Sequence, residues 1–143
     1  MVRRATRENT GYLLAKASQR WNELLHEEFV AEGYPEVRPA YGSILLPLFE
    51  EDGLRMGELA ARARLAKQTM TTLVRLMERN GLVRRVRDPA DGRAVRVYLT
   101  LRARAFEGVA ERVLARLDER IAARLSQPER NTLANSLKEV MSL

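Results

Sequence analysis

Lys67-Gln68-Thr69-Met70-Thr71-Thr72-Leu73-Val74-Arg75-Leu76-Met77-Glu78-Arg79-Asn80-Gly81 carries two patterns at once. Met70, Leu73, Val74 and Met77 recur at i, i+3, i+4 and i+7, the spacing of one buried helix face. Gln68, Thr71, Thr72, Arg75 and Arg79 occupy the opposite face, and Gly81 suits the position just past a helix end. Upstream, residues 57–64 read as a shorter helix with Leu59, Ala60 and Ala63 inward. Arg64-Leu65-Ala66 is then a tight turn, and two short helices across such a turn form a helix-turn-helix.

Downstream the period changes from helix to strand. Residues 83–87 and 95–99 alternate as strands do, with Val95, Val97 and Leu99 on one face and Arg96 and Tyr98 on the other. Between them lies Asp88-Pro89-Ala90-Asp91-Gly92-Arg93, a run of turn formers expected to be the polar tip of a hairpin. Helix, turn, helix and hairpin in that order make a winged helix.

Helices flank this segment. Residues 10–32 place Leu14, Ala17, Trp21, Leu24, Leu25 and Phe29 on one side, and Gly33 and Pro35 stop them. A second helix starts near Pro39, and Pro47 inside it predicts a bend or an early end. Thr100 can cap a long helix over 101–125. Ser126 with Glu129 is a capping box opening a last helix that bears Leu133, Leu137, Val140 and Met141. Leu117, Ile121, Leu133 and Leu137 lie on apolar stripes longer than one small core needs, so some are expected to meet a partner subunit. The expected fold class is mainly α with a small β-hairpin wing. The expected division is a helical dimerisation region (1–36 and 101–143) and a winged helix-turn-helix DNA-binding domain (37–100).

Composition narrows the function. The chain has 143 residues, no cysteine and a single histidine, His26. That removes disulfides and thiolate chemistry and disfavours a zinc site. No nucleophile–base pair, phosphate loop or metal-ligand cluster is visible, so an enzyme is not expected, nor a cofactor or a metal. The basic start at residues 1–4 has no apolar run behind it, and no stretch is long enough to span a bilayer. A cytoplasmic protein with no membrane partner is the expectation. The formal charge is +6, and residues 56–100 alone hold a net +6, against −2 for 1–55 and +2 for 101–143. A basic excess confined to the helix-turn-helix segment points to a polyanion.

The chemistry then fits double-stranded DNA. A helix enters the major groove, where base edges carry a unique code. Gln68 can pair bidentately with adenine, and Arg75 can reach guanine or a phosphate. Thr69, Thr71 and Thr72 can donate to phosphates or touch thymine methyls. Arg93, at the wing tip, suits a narrow minor groove. Arg62, Lys67, Arg84, Arg85 and Arg87 would hold the module to the backbone.

Residues 54–100 resemble the MarR family of regulators. The resemblance rests on Gly57-Glu58-Leu59-Ala60, Lys67-Gln68-Thr69-Met70, Leu76 to Val83 with Arg84-Arg85, and above all Asp88-Pro89-Ala90-Asp91-Gly92-Arg93 followed by Leu99-Thr100. Leu125-Ser126 with Glu129 resembles the start of the family's last helix. The resemblance implies a homodimer built from the first and last two helices and a wing arginine in the minor groove. It also implies a small, often phenolic or lipophilic anionic effector. Three positions depart from the pattern: Arg55 stands where a Ser or Thr usually caps the third helix, Ala66 lacks the recognition helix's usual cap, and Arg64 replaces a common turn glycine.

Other residues have two readings. Trp21, Tyr41 and Phe49 are candidates for an effector pocket, although aromatics so placed are more often core. His26 is a candidate pH sensor or ligand contact, against the commoner surface histidine. Asp91 is a candidate to fix the wing by pairing with an arginine, or a turn residue only. Arg112, Arg116, Arg120 and Arg124 form a stripe read as a solvated, ion-paired face. The expected function is a transcription regulator, a repressor by preference, on a palindromic operator. The alternative is a winged helix used for protein–protein contact. The basic recognition face argues against it, as the lack of stacking aromatics argues against single-stranded RNA.

Overall fold

A computed structural model of the chain describes residues 5–143, so the basic start at 1–4 lies outside it. The chain forms two compact units, the first ending at Val109 and the second running Ala110–Leu143.

In the first unit, α1 spans Thr10–Ala31, capped by Asn9, whose side chain accepts the Tyr12 amide. Gly33 follows at φ 87, the left-handed position that glycine occupies without a Cβ penalty. A single 3-10 turn over Pro39–Tyr41 leads into α2, Gly42–Glu50. Pro47 does not end α2 early, because the helix runs three residues beyond it. The carbonyl that Pro47 leaves without a helical donor belongs to exposed Ser43, where water can serve it.

The helix-turn-helix is α3, Met56–Ala63, and α4, Lys67–Arg79. Arg64 makes the turn at φ 56, a left-handed conformation unusual for a side chain with a Cβ. Leu59, Met70, Val74 and Met77 are buried at 1% exposure or less, as the periodicity requires.

The wing is a three-stranded antiparallel sheet in the order β1-β3-β2. Strand β1, Leu54–Arg55, pairs with β3 and is too short for an alternating pattern to reveal it. Strands β2, Val83–Asp88, and β3, Asp91–Leu99, extend further than the sequence suggests, so the turn is only Pro89-Ala90. Arg93 therefore lies within β3 and not on the tip. Leu54, Val83, Val97 and Leu99 form the buried face. Gly53, at φ 74, lies under the Tyr98 ring, where a Cβ would stand 2.6 Å from a ring carbon.

Helix α5, Leu101–Ala122, starts at Thr100, whose hydroxyl oxygen accepts the Ala103 amide at 3.2 Å and which donates to the Gly81 carbonyl at 2.7 Å. Phe106 meets Phe29 edge-on at 4.9 Å between ring centroids, joining the start of α5 to the end of α1. Arg102 stacks 3.7 Å from the Tyr34 ring centroid and pairs with Glu36 at 2.7 Å.

The second unit holds the rest of α5 and α6, Gln127–Met141. α5 ends earlier than 125, and both halves of the Ser126–Glu129 capping box form. Leu117 is buried at 1% exposure and belongs to the core. By contrast, α6 has no buried residue, and Leu133 and Leu137 are 46% and 39% exposed.

Candidate nucleic-acid interface

Helix α4 carries its polar face outward because Met70, Val74 and Met77 turn the opposite face into the core. Lys67, Gln68, Thr69, Thr72 and Arg75 are exposed, and Thr71 is half-buried. Gln68, Thr72 and Arg75 stand one turn apart on a single stripe, the geometry a base-reading helix needs. The Thr71 and Thr72 hydroxyls donate back to the carbonyls of Lys67 and Gln68 at 2.9 and 3.0 Å. Without DNA, their protons are thus used inside the helix.

Arg93 reaches the same region from the wing. A groove of about 720 Å³ is bounded by the start of α3, by Lys67, Met70 and Thr71 of α4, and by Arg93 to Arg96 of β3. Recognition helix and wing arginine thus meet across one concave surface. Arg84 and Arg87 are exposed on β2. Two other expected backbone contacts are already committed: Arg62 pairs with Glu51 at 2.7 Å and Arg85 with Glu78 at 3.0 Å. The Arg85 hydrogen bond holds the Glu78 carboxyl below its ordinary value.

The wing's anchor is Asp88, read in the sequence only as a turn former. Its side chain is 2% exposed. Oδ1 accepts the Ala90 amide at 2.9 Å, and Oδ2 accepts Arg55 Nε at 2.8 Å and Arg96 Nε at 3.2 Å. The Ala90 hydrogen bond, then the charges of Arg55 and Arg96, hold its carboxyl below the ordinary value against the opposing effect of burial. Among the described residues, no ion pair joins Asp91 to an arginine side chain. Its Oδ1 accepts the Arg93 backbone amide at 3.0 Å, a local turn bond. The signal for the network was Arg55 itself. An arginine before α3 cannot cap it, and none of its hydrogen bonds does.

The three aromatic candidates differ in burial. Tyr41 is fully buried, and its hydroxyl accepts Asn80 Nδ2 at 2.8 Å, so it is core. Trp21 and Phe49 are half-buried. An open surface depression of about 940 Å³ lies between α1 and residues 35–40, lined by Gln19, Asn22, His26 and Arg38 among others and by none of the three aromatics. Among the described residues, no three His, Cys, Asp or Glu side chains gather to hold a metal. No helix there is long and apolar enough to cross a membrane.

The MarR family profile matches residues 39–95, the stretch containing α3, α4 and most of the wing. Over 95 residues the chain is 35% identical to an HTH-type transcriptional repressor from Mycobacterium tuberculosis, spanning 66% of this chain and 68% of that one. Its fold is similar to that of a probable transcriptional regulator from Pseudomonas aeruginosa, with a TM-score of 0.80, 25% identity and coverage of 93% and 97% of the two chains. It is equally similar to the transcriptional repressor CouR bound to a 23-mer DNA duplex, with a TM-score of 0.80, 26% identity and coverage of 97% and 99%.

Proposed function

The chain belongs to the MarR family of transcription regulators, non-enzymatic DNA-binding winged-helix proteins, and on that premise we propose that it is a homodimeric repressor that reads a palindromic operator. The observation that carries this reading is the groove in which Lys67 and Thr71 of α4 face Arg93 of β3, beside the exposed stripe of Gln68, Thr72 and Arg75. Gln68 and Arg75 read base edges in the major groove, Thr69, Thr71 and Thr72 offer methyl and oxygen contacts, and Arg93 enters the minor groove. Lys67 and Arg87 neutralise phosphates, and Asp91 orients the Arg93 backbone.

Residues 37–100 form the DNA-binding domain, and 1–36 with 101–143 the dimerisation region. Support for the dimer comes from α6, whose Leu133, Leu137 and Val140 are exposed on one stripe. Repression is supported by the name of the mycobacterial relative. A small-molecule effector, aromatic or lipophilic in class, is part of this reading, and the open depression beside α1 is a candidate place for it. Glu36 and Tyr41, next in the chain to the lining residues Pro35 and Ala40, both accept a hydrogen bond from Asn80 at the end of α4. An occupant displacing that segment would press on the recognition helix.

The test is duplex binding against salt. Each phosphate neutralised contributes a slope of about −0.9 in log affinity against log salt, so a steep linear fall is expected. Footprinting should show two half-sites about 10 bp apart. Binding that is flat in salt, or a single short asymmetric footprint, would overturn the reading.

A further inference from the structure

Arg93 sits where the hairpin ladder does not hold it. Arg87 pairs with Val95 and Asp88 with Asp91, so Gly92, Arg93 and Ala94 have no opposite residue on β2. Such a bulge re-aims side chains and leaves their direction to other contacts. Inside the bulge Asp91 Oδ1 accepts the Arg93 amide, and Asp88 supplies the contacts on both sides of it. It accepts the Ala90 amide before it and the Arg96 guanidinium after it. Arg96 in turn donates to the Gly53 carbonyl at 2.9 Å, and Arg55 joins the same carboxylate from the start of α3.

We propose that Asp88 is the positioning residue of the wing: by gathering Arg55 and Arg96 on one buried carboxylate it fixes the hairpin against α3 and sets where Arg93 meets DNA. Arg55 and Arg96 are then ties within the protein, not phosphate contacts, although both lie on the basic segment. The inference rests on the reading of the wing as a DNA contact.

The sign of the expected effect separates positioning from charge. Asp88→Asn removes a negative charge and frees two cations. Charge alone therefore predicts tighter binding to every duplex and a steeper salt slope. Positioning predicts the opposite on the operator, a loss of about tenfold, typical of breaking one shared ion-pair network. Binding to random duplex should be unchanged or tighter.

The experiment titrates the full-length protein, Asp88→Asn, Arg55→Gln, the double variant and Arg93→Ala. The probes are a duplex selected by the wild type from a random pool and an unselected duplex, each at several salt concentrations. Arg55→Gln keeps the proposal testable if Asp88→Asn melts below the assay temperature. It should weaken operator binding with the salt slope unchanged, and the double variant should lose no more than Asp88→Asn alone. Operator binding by Asp88→Asn as tight as wild type, a slope shallower by about 0.9 in Arg55→Gln, or additive losses would each overturn the proposal. If Arg93→Ala leaves operator binding intact, the wing reading itself fails and the proposal falls with it. If Arg93→Ala weakens binding and Asp88→Asn does not, the proposal alone fails.

Discussion

Asn80, the residue that ends α4, donates its side-chain amide to the hydroxyl of Tyr41 at 2.8 Å, 39 positions away in the chain. Tyr41 is fully buried, so this bond fixes the far end of the recognition helix to the segment entering α2. Tyr41→Phe keeps the ring and removes the acceptor. It should destabilise the fold by about 1–2 kcal/mol, the effect of one lost buried hydrogen bond with a partner left unsatisfied. Urea unfolding measures it. An unchanged midpoint would show that the bond contributes nothing.

Gly53→Ala combines two penalties. At φ 74 a Cβ strains the backbone, and that atom would stand 2.6 Å from the Tyr98 ring. The strain is worth about 1–2 kcal/mol and the overpacking about 1–3 kcal/mol. Thermal unfolding should show a large drop in midpoint. The double variant Gly53→Ala with Tyr98→Ala should recover the packing part and leave the strain.

The helix-turn-helix and hairpin were legible because their signals are local. Periodicity set α3 and α4, and glycines marked the ends of α1 and α4, where Gly33 and Gly81 do adopt positive φ. The wing's details were not. Strand β1 has two residues, and no alternating pattern exists at that length. Asp88 reads as a turn former in sequence, yet it is buried and meets Arg55, 33 positions upstream. That pairing is invisible to any window along the chain. Tyr41 was ambiguous for a similar reason, since its partner Asn80 lies on another element.

Acid should weaken the fold, and the sign follows from the carboxyls. Glu36 and Glu78 lie below their ordinary 4.5, held chiefly by the Arg102 and Arg85 side chains. Asp88 lies below its ordinary 3.8, held first by the Ala90 amide. A depressed folded value means that the stabilisation is complete above the unfolded value and is lost as pH falls through the folded one. Unfolding free energy should therefore decline below about pH 4.5. A rise in stability on going from pH 6 to pH 4 would contradict these pairings.

Association should depend on α6 and monomer stability should not. Leu137 is 39% exposed within one chain, so Leu137→Asp leaves the isolated fold within about 0.5 kcal/mol, as for other surface substitutions. In a dimer interface the same change would bury an unpaired charge. Sedimentation at micromolar concentration should show a wild-type dimer and a folded Leu137→Asp monomer. A wild-type monomer would end the account of the dimer.

The central claim is that α4 reads bases, and Gln68 tests it most directly. Gln68 is exposed in the first turn of α4, where side chains reach base edges. Wild type and Gln68→Ala should be titrated against the selected operator and a random duplex at one fixed salt. The account predicts a loss of about 1–3 kcal/mol on the operator and much less on random DNA. Equal losses on both duplexes would make Gln68 a backbone contact and contradict the assignment of base reading to this helix.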